Sequence, residues 1–143
     1  MRRAVALISA IGVVVSAYLT WVHYSGNLAL CIGVGGCESV QGSRFAIAGG
    51  VPVALIGLGG FALIFALAVL RLQPAPPVWA DVAIFALSIA ATAYVSYLTY
   101  IELFVIGAVC PWCVAVAVCA VLVLALVSVE LLRAGRTPVR TDP

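Results

Sequence analysis

The sequence predicts an all-α membrane protein built as a bundle of four transmembrane helices, and three observations carry that prediction. Charged residues make up only 8% of the chain and hydrophobic ones 66%, with a mean hydropathy of +1.28; soluble domains carry roughly 25% charge. Four apolar runs, at about residues 4–24, 51–72, 78–101 and 108–132, reach the ~20 residues a helix needs to cross hydrocarbon. The arginines gather in the segments that an even number of spans places on one side.

The first run follows Met1-Arg2-Arg3. That is how a signal peptide starts, but the apolar stretch continues to Val22 without a cleavage site before Cys31, so a retained span is expected. Residues 25–50 form the long polar stretch, rich in glycine and carrying Cys31, Cys37, Glu38, Gln41, Ser43 and Arg44. Gln73-Pro74-Ala75-Pro76-Pro77 separates runs two and three, because proline cannot continue a helix interior. Residues 101–107 are expected to turn the chain into run four, and the tail after Arg133 to be a short disordered cytoplasmic end. Gly57-x-Gly59-Gly60 in run two reads as a surface where a neighbouring helix approaches closely, with the lining of a flat pocket as the alternative. One membrane domain over residues 1–143, without an attached soluble domain, accounts for the whole chain.

Four spans put Arg2, Arg3, Arg71, Arg133, Arg136 and Arg140 on one side and leave only Arg44 on the other. The positive-inside rule makes the arginine side cytoplasmic. The same topology gathers Cys31, Cys37, Cys110 and Cys113 on the opposite, extracytoplasmic face, where disulfides persist.

Cys110-Pro111-Trp112-Cys113 heads the fourth run. Such a pair can close a disulfide, bind a soft metal or carry electrons as a dithiol. Proline suits the first turn of a helix, so the pair is expected at a helix N-terminus, whose partial positive charge favours a thiolate. Cys31 and Cys37 enclose Ile-Gly-Val-Gly-Gly, which fits either a static staple or a mobile pair that exchanges between partners. Together the four cysteines could also form a Cys₄ zinc site, although the first spacing of five residues exceeds the usual two to four. Cys119 lies mid-span and reads as a small buried hydrophobe. His23, beside Trp21 and Tyr24, reads as an interfacial anchor, and Glu102 as a solvated interfacial carboxylate, with a part in proton traffic as the alternative. No phosphate loop, paired carboxylates or Ser-His-Asp set is present, and no basic run suits nucleic acid.

Several strings carry a resemblance: Tyr18-Leu-Thr in run one, Cys37-Glu-Ser-Val-Gln-Gly-Ser43, Gly50-Val-Pro-Val-Ala-Leu-Ile-Gly57, and Tyr97-Leu-Thr-Tyr-Ile-Glu-Leu-Phe104 leading into Cys110-Pro-Trp-Cys113. In this order on a four-span frame the chain resembles bacterial vitamin K epoxide reductase homologues. The resemblance implies a four-helix bundle around a quinone (ubiquinone or menaquinone), with a half-helix of the first outer loop covering the pocket. By position, Cys110 and Cys113 match the active-site pair, Cys31 and Cys37 the shuttle pair, and Ser43 a loop serine near the quinone ring. Ala117 stands where vertebrate members have a tyrosine, and run two offers only apolar residues and glycine where they have a pocket asparagine. Quinone reduction is therefore expected over epoxide chemistry. Many bacterial members carry a fused thioredoxin-like domain, so here a separate DsbA-like partner is expected to reduce the shuttle pair. Electrons would pass to Cys110 through Cys37 and leave from Cys113 to the quinone, supporting disulfide formation. Quinone or quinone-epoxide reduction without that role, and a non-catalytic metal-binding module, stand as alternatives.

Overall fold

In the computed structural model, residues 1–26 and 36–136 are described. Four long helices form the bundle: α1 (Arg2–Ser25), α3 (Val53–Leu70), α4 (Val78–Ile101) and α5 (Pro111–Arg136), with a short α2 (Cys37–Gln41) in the outer loop. All four long helices are long and apolar enough to cross a membrane. In sequence order they form a ring, α1 against α3, α3 against α4, α4 against α5 and α5 back against α1. Large apolar side chains such as Leu7, Ile11, Leu63, Val82 and Val121 point outward, as lipid contact requires.

The boundaries differ from the sequence reading in four places. Run two starts its helix at Val53, because Ile47–Ala48 (β1) and Val51–Pro52 (β2) first pair as a small antiparallel hairpin. Gly49 and Gly50 turn it with φ of 60° and 86°, the left-handed values that a two-residue hairpin turn demands. The segment expected to turn after run three stays helical: α4 continues as a π-turn over Glu102–Ile106 and stops at Gly107, whose φ is 68°. Run four begins at Pro111 instead of 108, and its helix runs on to Arg136 through part of the expected disordered tail. Residues 137–143, with Arg140, lie outside the described residues.

The buried face of α1 recurs at Val5, Ser9, Gly12, Ser16 and Leu19, the three-and-four spacing of a helix stripe. Two of its buried hydroxyls are satisfied locally, Ser9 donating to the Val5 carbonyl and Thr20 to that of Ser16, both at 2.7 Å. Glycine packing occurs on this helix and not where the sequence suggested. A Cβ on Gly12 would overlap the Phe61 ring, whereas Cβ atoms on Gly59 and Gly60 would meet nothing within 4 Å. The close approach of α1 and α3 therefore rests on one glycine opposite a buried phenylalanine. Below it lies a core of Val5, Ile64, Ala68, Ile84, Val123 and Val127.

An ion cluster ties the ends of all four helices at the arginine side. Arg71, 3% exposed at the end of α3, contacts Asp81 in the first turn of α4 and lies 2.6 Å from Glu130 of α5. Arg2 of α1 donates to the Arg71 carbonyl at 3.3 Å. Because these contacts gather Arg2, Arg71 and Glu130 at one end, the cysteine pair that begins α5 lies at the other.

Candidate active site

The pair sits where a helix begins. The Val114 amide donates to the Cys110 carbonyl at 3.1 Å, so Cys110 is the residue just before the first turn and Pro111 the first within it. Trp112 packs its ring against Tyr18 of α1, centroids 5.1 Å apart, which fixes the intervening pair of residues against a second helix. Cys110 and Cys113 are both free thiols; Cys110 is 0% exposed and Cys113 half-buried. The Cys110 thiol is lowered to about 7, first by its hydrogen bond with the Cys113 thiol; burial opposes this, and the amides of Cys113 and Trp112 add to it. A buried thiol held near neutrality at a helix N-terminus is poised to react as a thiolate.

Cys113 faces a cavity of about 100 Å³ between α1, α3, α4, α5 and the outer loop. Its walls are mostly apolar, from Leu19, Phe45, Val53, Val95, Leu98 and Val116, with Gln41, Ser43, Thr99 and Glu102 supplying polar atoms. Gly57 forms part of the wall, and a Cβ there would meet only the Ser16 oxygen, at 3.5 Å. Of the three glycines in α3 that suggested packing, this one leaves space in the cavity. An apolar ring with a few polar substituents suits such a lining; that fit rests on Gly57's open wall and on the thiol of Cys113 at its edge.

Glu102 corrects the sequence reading. Expected as a solvated carboxylate, it is 5% exposed and lines the cavity. Its Oε2 accepts the Cys110 amide at 3.4 Å, and its carboxyl is within hydrogen-bonding reach of the Cys113 thiol. The π-turn that begins at this residue makes the placement: the Ala108 amide reaches back to the Glu102 carbonyl at 3.2 Å, folding residues 107–110 against the turn. π-turns of this kind concentrate at functional sites.

The outer loop covers the cavity with α2 and a 3₁₀ turn at Arg44–Ala46. Ser43 lines it, with its hydroxyl donating to the Val40 carbonyl at 2.8 Å, so the oxygen's lone pairs remain to accept from a ligand. Cys37, at the start of α2, is 1% exposed and engaged in a disulfide. Cys31 lies outside the described residues. Gly36 brings the two cysteine regions together: a Cβ there would collide with the carbonyl and amide of Val109, the residue before Cys110. Cys119 is a buried thiol packed with Phe61 and Ala120, apart from the cavity. His23 makes an edge-to-face contact with Tyr24 at 5.8 Å near the end of α1. Among the described residues no three His, Cys, Asp or Glu side chains are grouped to hold a metal ion.

Sequence reasoning passed over Glu102 and Gln41 as cavity residues. Glu102 fell in the stretch 101–107 expected to turn outside the spans, where a carboxylate is ordinary; Gln41 offered no signal beyond its place in the loop. The model of the vitamin K epoxide reductase family matches residues 3–128. Only two residues at one end and the last turns of α5 with the tail fall outside that match. The cavity residues and the cysteine pair all lie within the matched stretch, and the chain belongs to the vitamin K epoxide reductase family.

Proposed function

We propose that this membrane thiol and quinone oxidoreductase reoxidises a thioredoxin-fold protein outside the cytoplasm and delivers the electrons to a membrane quinone. One observation carries the reading: Cys113 opens onto the apolar cavity, while its partner Cys110 is buried behind the contact between Gly36 and Val109. Two thiols with different neighbours can face two different partners.

The sequence of exchanges follows from thiolate chemistry. A reduced DsbA-like protein attacks the Cys31–Cys37 disulfide at Cys31, and its second cysteine then resolves the mixed disulfide, releasing the oxidised partner and freeing Cys31. Cys37, released, attacks Cys110 in the oxidised Cys110–Cys113 pair, forming a Cys37–Cys110 bridge and freeing Cys113. Return of the bridge to Cys31–Cys37 leaves both active-site thiols reduced. A quinone, ubiquinone or menaquinone, supplies the oxidising power by accepting two electrons and two protons. An external sink is needed because a DsbA-like partner is already oxidising, near about −120 mV, and about 30 mV uphill costs roughly 1.4 kcal/mol. Ser43 borders the ring site with its hydroxyl oxygen. The arginine end, with Arg2, Arg71 and Arg133, faces the cytoplasm, and both termini lie there.

The test is quinone reduction by purified protein with a reduced thioredoxin-fold donor. Cys113→Ala is expected to abolish it and to accumulate the Cys37–Cys110 bridge, while Cys119→Ala retains it. Absence of quinone reduction in the unaltered protein, or a Cys110 that stays free throughout in Cys113→Ala, refutes the reading.

A further inference from the structure

The exchanges above move electrons through cysteines, but reduction of a quinone also needs protons delivered in a site walled by apolar side chains. Among the described cavity residues, few groups can hold a transferable proton. Ser43 and Thr99 spend their hydroxyl protons on the carbonyls of Val40, at 2.8 Å, and Val95, at 2.9 Å. Gln41 is not acidic, and Tyr94 ends in a weakly acidic phenol. Glu102 is the one carboxyl, and it is buried, lines the cavity and reaches Cys113.

Building on the quinone reading, we propose that Glu102 is the proton relay of the site, taking the proton of the Cys113 thiol and passing it to a quinone oxygen. Two negative charges in contact are strongly disfavoured in a water-poor cavity, so Glu102 and Cys113 share one proton between them. With the proton on sulfur, Cys113 is a resting thiol. With it on the carboxyl, Cys113 is a nucleophile beside a general acid aimed into the same cavity. Moving between the two forms leaves the net charge unchanged, so no charge has to enter the membrane.

The balance closes. The Cys110–Cys113 bond forms as two electrons leave the sulfurs and the quinone becomes hydroquinone. One proton travels from Cys113 through Glu102, which ends as it began. The second is the proton of Cys110, whose thiol holds it while Cys113 is the thiolate, so the touching pair never carries two negative charges. The Cys110 amide bond to Oε2 keeps the carboxyl aimed at the pair throughout.

Glu102→Gln separates relay from scaffold, because the amide oxygen still accepts the Cys110 amide but passes no proton. At saturating quinone, E102Q is expected to lose about 10²-fold in turnover, the lower range for general acid–base catalysis. Formation of the Cys37–Cys110 bridge in the Cys113→Ala background should be unchanged by E102Q. That bridge readout needs no quinone. Unchanged bridge formation with slower turnover cannot come from a disordered site. Glu102→Asp, a shorter carboxyl, should restore part of the turnover and serves if E102Q folds poorly. Turnover of E102Q equal to that of the unaltered protein overturns the relay. So does loss of bridge formation together with turnover, which would make Glu102 a scaffold only. Failure of the unaltered protein to reduce quinone would strike the parent reading instead, so the two failures are distinguishable.

Discussion

Gly36→Ala tests the contact that brings the outer loop to the active-site pair. A Cβ at this position would lie 2.7 Å from the Val109 nitrogen and closer still to its carbonyl oxygen, where ordinary contact begins at 3.4 Å. Both colliding atoms are backbone, so the clash cannot be relieved by a side-chain rotation. The loop must withdraw from Val109 by about 1 Å, and Cys37, the next residue, withdraws with it. A displacement of that size at reacting atoms costs on the order of 10²-fold in rate, equivalent to about 2.7 kcal/mol of barrier. The assay is the rate of Cys37–Cys110 bridge formation in the Cys113→Ala background, where the Cys110 thiolate attacks the Cys31–Cys37 disulfide at Cys37 and releases Cys31, followed by non-reducing peptide mapping after oxidised donor is added to the reduced protein. Gly59→Ala, whose Cβ meets nothing within 4 Å, is the matched control and should leave the rate unaltered. Quinone reduction from chemically reduced Cys110 and Cys113 should persist in Gly36→Ala, because the cavity is untouched. A bridge forming at the control rate in Gly36→Ala would show that Gly36 does not set the reach of Cys37, and the proposed route between the pairs would lose its structural basis.

Three further outcomes are expected elsewhere. Arg71→Met leaves Asp81 and Glu130 without their buried cation and should destabilise the folded protein by about 3–5 kcal/mol, read as a lower unfolding temperature in detergent. Cys110 and its quinone chemistry lie some 20 residues along α5 from Glu130, roughly 30 Å, so turnover per folded molecule should be unchanged. The thiolate absorbance of the reduced pair should rise with pH through about 7, the value to which Cys113 lowers Cys110; in Cys113→Ala the rise should move to higher pH, and an unmoved midpoint would discard the hydrogen bond as its cause. Gly57→Val fills the open wall of the cavity and should raise the KM for quinone several-fold while sparing bridge formation; an unchanged KM would place the quinone elsewhere.

Much of this arrangement was legible because it is written in local pattern. Apolar runs of spanning length, the proline breaks at 74–77 and the proline after Cys110 each report on their own neighbourhood, and each element appeared within a few residues of its expected place. What escaped depended on direction. Gly57, Gly59 and Gly60 look alike in sequence, but one borders a cavity, two face outward, and the packing contact belongs to Gly12. Arg71 served as a topology marker, and nothing nearby in sequence announced Asp81 and Glu130 as its partners. The Gly49-Gly50 turn was readable, since two glycines between short β-prone segments are a hairpin signal. Glu102 was misread because its burial comes from residues 107–110 folding back over it.

The π-turn at Glu102–Ile106 sets a constraint on chain length. A π-turn holds one residue more than the α-helical turn it replaces, so it behaves as an insertion accommodated within a helix. Deleting a single residue from this segment would let α4 run on as regular helix and turn everything beyond it by about 100° relative to the present arrangement. Glu102 and the segment leading to Cys110 would then no longer share a face. Adding a residue to a surface loop asks only that the chain reach; here the requirement is angular. This stretch should therefore tolerate many exchanges of one outward side chain for another, such as at Leu103 or Phe104, and very few changes in the number of residues.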